Sequence, residues 1–342
     1  MNFGEYVESN RNLIYSTIVK YVPYQENGGY HTHAIMRDYI DRQGKYRRPG
    51  LLMITGQLFG AKIEELTLPA AAMQISEDWI LMQDDVEDDS ELRRGKPAAQ
   101  RIYGWVHAMN ASNIGNMAMW RMLKDYILQV GNTRGNKVYE KFYDMIEYTA
   151  EGQHVENTFI HYTKDLSKAD ERLYLRIVDS KTCYYTIFGP LQIGAMAANQ
   201  PDSVLNALKE IGTNTGIAFQ IVDDILDMTA DEKVFGKKNF GDLYEGKLTP
   251  MVLHAYKNAT TDEKKRMDDI YRKKRQDKTK EEIDFIVELV NKYDSLGYAR
   301  QQVEKYGNMA KESIEKYKNL LPQNEYTPIF MNAIEEMYVR KK

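Results

Sequence analysis

FQIVDDILDM, residues 219–228, sets Asp223, Asp224 and Asp227 among Phe219, Ile221, Val222, Ile225 and Leu226. The three carboxylates stand at i, i+1 and i+4. On a helix, i and i+4 share a face, and i+1 lies about 100° round from i. A solvated face does not usually carry its charges among so many large apolar side chains. Buried carboxylates need a cation or a proton to be tolerated. The stretch therefore reads as a helix with an acidic face turned inward.

A second stretch, QDDVEDDSELRRGKP at residues 83–97, repeats the spacing with Asp84, Asp85 and Asp88. Alone it fits a solvated acidic helix end equally well. Two such helices facing each other across a bundle would make a carboxylate-lined cavity. Carboxylate oxygens with room for water suit Mg²⁺, which keeps several waters and bridges protein to phosphate oxygens. Iron sites in bundles use Glu-x-x-His pairs, and neither stretch has one; His154 and Glu156 lack that spacing.

The rest of the chain agrees with a helical bundle. Its 342 residues are 43% hydrophobic and 28% charged, enough apolar material for a large core. The net charge of -4 argues against a nucleic-acid partner. The single cysteine, Cys183, excludes an intrachain disulfide framework and fits a cytoplasmic protein. The N-terminal stretch has Glu5 and Glu8 and no apolar run, so it does not read as a secretory signal. Residues 182–201 form the longest uncharged run. Broken by Gly189, Pro190 and Gly194, it reads as a buried helix and not as a transmembrane segment.

Helical periodicity recurs at Met73, Ile75, Ile80 and Leu81, at Ile283, Ile286, Val287 and Val290, and at Met309, Ile314, Tyr317 and Leu320. Period-two alternation is scarce, so few strands are expected. Breaks are expected at Gly28-Gly29, Arg48-Pro49-Gly50, Gly95-Lys96-Pro97, Gly189-Pro190, Phe235-Gly236 and Thr249-Pro250. The lysine-rich residues 260–280 read as a solvated helix or connector. No linker or repeat divides the chain. The expectation is one all-α domain over residues 1–342, a large helical bundle around a central cavity.

A metal and phosphate site also needs cations. Arg93 and Arg94 follow Asp88 closely and can fork onto phosphate oxygens. Lys45 and Arg48 lie in GKYRRP, where Pro49 is expected to fix a turn. SKTCYY supplies Lys181 and Thr182, and FGKKNFGDLYEGKLTP supplies Lys237 and Lys247. Each lysine alone is more often surface filler; the combination carries the weight.

These ordered motifs resemble those of the trans-isoprenyl diphosphate synthases, which include farnesyl and geranylgeranyl diphosphate synthases. DDVEDDSELRRGKP resembles the family's first aspartate motif and FQIVDDILD its second. GKYRRP is similar to GGK-x-x-RP with Gln43 in place of the first glycine. EGQHVE is similar to GQ-x-x-D with Glu156 for Asp, and Lys181-Thr182 and GDLYEGKLT also match. The resemblance runs over about residues 40–255.

It implies the isoprenoid synthase fold and a chemistry of chain elongation. An allylic diphosphate ionises, and the allylic cation is attacked by the double bond of isopentenyl diphosphate. A proton then leaves, with the departing diphosphate as its acceptor. Metal ions act as Lewis acids on that diphosphate, fixed cations stabilise its charge, and exclusion of water protects the cation. By resemblance, Asp84, Asp85, Asp88, Asp223, Asp224 and Asp227 hold Mg²⁺. Arg93, Lys181, Gln220, Lys237 and Lys247 hold the allylic diphosphate, with Thr182 nearby. Lys45, Arg48 and Arg94 hold isopentenyl diphosphate.

Two positions bear on specificity. Seven residues before the first aspartate, where the family usually has His or Gln to help bind isopentenyl diphosphate, stands Glu77. It either orients Lys45, Arg48 or Arg94, or weakens the site. Trp79 stands five residues before Asp84, about 7.5 Å along a helix, with Ile80 next to it. An aromatic there is similar to the archaeal geranylgeranyl type, which implies geranylgeranyl diphosphate as product; farnesyl and geranylfarnesyl diphosphate are the alternatives. A non-catalytic regulatory subunit would have lost aspartates, and a terpene cyclase would carry an Asn/Ser/Glu triad in place of VDDILD. The family also implies a homodimer.

Overall fold

The computed structural model describes residues 1–24, 31–229 and 240–339. The breaks expected at residues 28–29 and 235–236, and Lys237, lie outside them. The helices that concern the site are α1 (Phe3–Tyr21), α2 (Thr32–Asp41), α3 (Arg47–Leu58), α4 (Ile63–Glu87), α5 (Ala99–Tyr103), α6 (Trp105–Val130), α7 (Asn132–Thr158), α8 (Glu171–Ile177), α9 (Gly189–Ala197) and α10 (Asp202–Thr229). Contacts divide the chain into two compact units. The first holds Met1–Asp144, Gly189–Lys209 and Tyr317–Ile334; the second holds Met145–Phe188, Glu210–Lys316 and Glu335–Lys342.

In the first unit α4 is the central element. Pro69, Ala70, Ala71, Ala72, Met73, Gln74, Ile75 and Ser76 are buried in succession, so the helix is covered on every side. It packs mainly along α6, with α1 and α3 also against it. Helices α3 and α9 approach closely. A Cβ on Gly194 would stand 2.2 Å from the Leu52 carbonyl oxygen, so only glycine admits this crossing. Past α4 the chain makes a small hairpin, Leu92–Arg93 paired antiparallel with Lys96–Pro97. Its two turn residues, Arg94 and Gly95, both have positive φ, 52° and 75°. That is the type I′ geometry of two-residue hairpins, adopted here with a non-glycine in the first central position.

In the second unit the helix Pro250–Asn258 packs against Ser295–Lys316 and Lys280–Lys292. Thr249 caps it and Pro250 opens it, as the sequence expects. Helix Lys280–Lys292 buries Ile283, Ile286, Leu289 and Val290. The lysine-rich stretch forms helix Thr261–Tyr271 behind a capping box of Thr260 and Glu263, and it buries Met267, Ile270 and Tyr271. Residues Val178–Phe188 are wound as a π-helix.

Three expectations are corrected. Arg48-Pro49-Gly50 is not a turn; Pro49 sits in the first turn of α3, where its missing N–H has no intrahelical partner to lose. Gly189-Pro190 is not a break, because the chain passes from the π-helical segment directly into α9. A wide π turn relieves the clash a proline ring makes with the carbonyl four residues back. The ladder from Met309 to Leu320 is not a core face. Met309 and Leu320 are exposed, while Tyr306, Gly307, Ala310 and Ser313 face inward. Small residues carry that contact, and they are invisible to an apolar count.

Among the described residues, no helix is long and apolar enough to cross a membrane. The Gly194→Ala variant should lose about 1–3 kcal/mol of stability, the range of an overpacked core contact, read as a fall in urea midpoint.

Candidate active site

The first aspartate group ends α4. Asp84 lies in its last turn, and Asp88 closes the helix with its N–H donated to the Asp84 carbonyl, 2.8 Å. Asp84 and Asp88 keep part of their surface, whereas Asp85 is fully buried. The Asp85 carboxylate accepts from Arg93 Nε at 3.0 and 2.9 Å and from the Tyr39 hydroxyl at 2.6 Å. Arg93 also stands 3.7 Å from Asp84. Burial works against the charge on Arg93, but Asp85 and Asp84 outweigh it and raise its pKa.

One turn back, α4 carries a second ionic group. Glu77 stands 3.2 Å from Arg48 and 3.7 Å from Arg94. Asp78 is 2.8 Å from Arg94 and accepts from Gln74 Nε2 at 3.2 Å. Arg94 donates as well to the Tyr39 carbonyl, 2.8 Å. Its left-handed backbone at the hairpin tip is held by three partners. Burial pushes the pKa of Asp78 up to about 7, against the pull of Arg94. Lys45 is exposed, on the loop entering α3. On that loop Gln43, where the related motif has glycine, takes a positive φ of 47°.

Trp79 and Ile80 follow on α4. Trp79 is buried, and Gly115 of α6 lies against it, leaving a Cβ there only 2.8 Å from that of Trp79. Its indole N–H finds no acceptor among the described residues. Ile80 is half-buried.

In the second unit, Asp223, Asp224 and Asp227 lie on α10 as the spacing predicts. Asp224 is buried; its two oxygens accept from Gln220 Nε2 and from the Tyr174 hydroxyl, each at 2.8 Å. Gln220 in turn accepts from the Thr182 hydroxyl at 2.7 Å. Asp227 accepts the backbone N–H of Asp242 at 3.1 Å. Lys181 pairs with Glu156 at 2.5 Å, and Lys247 with Glu245 at 2.5 Å. Gly152 of α7 permits the first pairing, since a Cβ there would meet the Ser180 hydroxyl at 2.3 Å and the Lys181 amide at 2.8 Å.

This group is crowded with negative charge. Burial raises the pKa of Asp224 to about 7, with Asp223 and Asp227 adding to it. Burial, and then Asp227, push Asp242 well up. Carboxylates that hold protons for want of a cation are a donor set into which a divalent ion fits. Among the described residues no three such groups converge tightly on one point. Mg²⁺ does not require that, because it keeps waters and shares oxygens with a diphosphate.

Two aspartate groups at matching spacing, with arginines and lysines beside each, match known sequences. Residues 30–290 match the polyprenyl synthetase family. The chain belongs to that family. A geranylgeranyl diphosphate synthase of Sulfolobus acidocaldarius is 33% identical over 317 residues, 92% of this chain and 91% of the relative. The geranylgeranyl pyrophosphate synthetase structure from Pyrococcus horikoshii superposes with a TM-score of 0.85 at 24% identity, over 99% of this chain and 98% of that one. The geranylgeranyl pyrophosphate synthase structure from Corynebacterium glutamicum, complexed with isoprenyl diphosphate and magnesium, gives 0.86 at 19% identity over 100% of both chains. The fold is the all-helical one of isoprenoid synthases, and polyprenyl synthetases condense isopentenyl diphosphate with allylic diphosphates.

Within this polyprenyl synthetase, sequence reasoning missed Asp78, Asp242, Tyr39 and Tyr174. Asp78 and Asp242 had a signal: one sits in the apolar run of α4, the other in GDLYEGK. The tyrosines had none, because 25 tyrosines are spread through the chain.

Asp78 gives a pH test. Its folded-state pKa lies above the usual carboxylate value of about 3.9, so the folded chain keeps a proton that the unfolded chain releases between those values. Through this group stability falls as pH rises from about 4 to about 7. Asp78→Asn lacks that component. The urea midpoint of wild type minus that of the variant should shrink between about pH 4.5 and pH 8.

Proposed function

We propose that the chain is a geranylgeranyl diphosphate synthase, acting over residues 1–342 as one catalytic domain in the cytoplasm. The observation that carries this reading is the pair of matched aspartate groups, each with one fully tied carboxylate and others able to take a cation. Asp84 and Asp88 from one, Asp223 and Asp227 from the other, hold Mg²⁺. Bound Mg²⁺ supplies Lewis-acid neutralisation of the departing diphosphate. Arg93, Lys181 and Lys247, with Lys237 outside the described residues, orient the allylic diphosphate. Lys45, Arg48 and Arg94 orient isopentenyl diphosphate. Thr182 and Gln220 are bonded to each other and support this set from behind Lys181.

Glu77 is an orienter in this reading. It bridges Arg48 and Arg94, and Arg94 keeps Asp78 as a second partner, so Glu77 chiefly fixes Arg48. Trp79 ends the space for the growing chain; a buried indole kept without an acceptor fits an apolar wall. Homodimerisation is supported by the apolar side chains that α5 and α6 leave exposed: Ile102, Trp105, Val106, Met117 and Leu128. Sedimentation mass reads that state directly.

The test is incubation with Mg²⁺, radiolabelled isopentenyl diphosphate and allylic primers of increasing length. Geranylgeranyl diphosphate should be the main product; no labelled product from any primer overturns the reading. Trp79→Ala should yield longer prenyl chains, and an unchanged product removes Trp79 as the floor. Glu77→Gln should raise KM for isopentenyl diphosphate about fivefold, the worth of a partly buried ion pair near 1 kcal/mol, with kcat nearly kept. A marked fall in KM instead makes Glu77 a liability.

A further inference from the structure

Both aspartate groups share a feature that their shared spacing does not explain. In each, the i+1 carboxylate is buried and accepts a tyrosine hydroxyl on one oxygen and nitrogen donors besides. Asp85 takes Tyr39 at 2.6 Å and Arg93 on both oxygens. Asp224 takes Tyr174 and Gln220, one on each oxygen, both at 2.8 Å. The tyrosines come from elements remote in sequence from their aspartates, Tyr39 from α2 and Tyr174 from α8. Each hydroxyl is itself anchored in place. Tyr39 is fully buried and accepts the Ala99 N–H at 3.0 Å, and Tyr174 is 4% exposed.

We propose that Tyr39 and Tyr174 are positioning residues that lock Asp85 and Asp224 as internal struts, leaving the i and i+4 aspartates of each group to face the metal. The inference rests on the metal-binding reading above and departs from the expectation that all six aspartates are ligands. An ionised carboxylate has about four lone-pair sites. Asp85 fills nearly all of its own with Arg93 and Tyr39 and has no exposed surface. Asp224 has one oxygen on each donor and 4% exposure. A helix fixed by an i+1 side chain cannot rotate about its axis, so the i and i+4 carboxylates keep their aim. The second strut reaches further. Through Gln220 it joins Thr182, the neighbour of Lys181, so the second aspartate group and the Lys181 turn are held by one chain of hydrogen bonds.

The test uses the full chain, Mn²⁺ as the probe ion and inorganic pyrophosphate as the anion, with bound ions counted by electron paramagnetic resonance. Asp223→Asn should lower the number of ions bound. Asp224→Asn and Tyr174→Phe should keep that number and weaken affinity about tenfold, the usual effect of losing an outer support. The double variant should be no weaker than either single variant, because both remove one contact. In turnover, the Mg²⁺ concentration for half-maximal rate should rise while the maximal rate is largely kept. Tyr39→Phe and Asp85→Asn should behave the same way, which keeps the test open if the Tyr174 variant fails to fold. Loss of an ion in Asp224→Asn or Asp85→Asn, or unchanged affinity in both Phe variants, overturns the proposal. If wild type takes up no Mn²⁺ with pyrophosphate, the metal-binding reading itself fails.

Discussion

A carboxylate removed from water must be met by a cation, a proton or a set of N–H and O–H donors, and the aspartates of this chain show all three answers. Asp85 is met by Arg93 and Tyr39. Asp224 is met by Gln220 and Tyr174 and still leans toward its protonated form. Asp242 holds a proton beside Asp227. The outward aspartates of each group are the ones left to an ion. Inner and outer carboxylates differ by one helical position, and that single step sorts structure from chemistry.

The arginines are divided by the same logic. Arg93 serves the end of α4 and Arg94 the turn before it, although they are neighbours in sequence. A two-residue hairpin makes this possible. Its strained tip turns consecutive side chains to different partners, Arg93 to Asp85 and Arg94 to Asp78 and Glu77. Glu77 therefore meets positive charge from two directions, which removes the repulsion its position first implies. The substitution of carboxylate for a neutral ring or amide is offset locally by residues that a diphosphate also needs.

The fold class and both aspartate groups were legible in the sequence because they depend on spacing along one helix. Spacing of i, i+1 and i+4 carries its own geometry. What was not legible depends on partners far apart in the chain. Tyr39 lies 46 residues from Asp85, and Tyr174 lies 50 from Asp224. Nothing local marks either tyrosine among so many others. Proline signals misled where the backbone had a second solution: Pro49 opens a helix, and Pro190 is taken up by a wide turn before it. The 309–320 ladder misled because alanine, glycine and serine make that contact.

The wide winding of Val178–Phe188 has a further consequence. Each residue in a helix turns the chain by about 100°, so the register of a segment decides which way every later side chain points. A π segment holds more residues per turn than the α-helix it interrupts. Excising one residue from it would relax the coil toward ordinary winding and swing Lys181 and Thr182 away from Glu156 and Gln220, or else drag the proline of α9 into a steric collision. The extra length is thus a protractor built into the backbone, setting the angle between the diphosphate-facing lysine and the apolar run behind it.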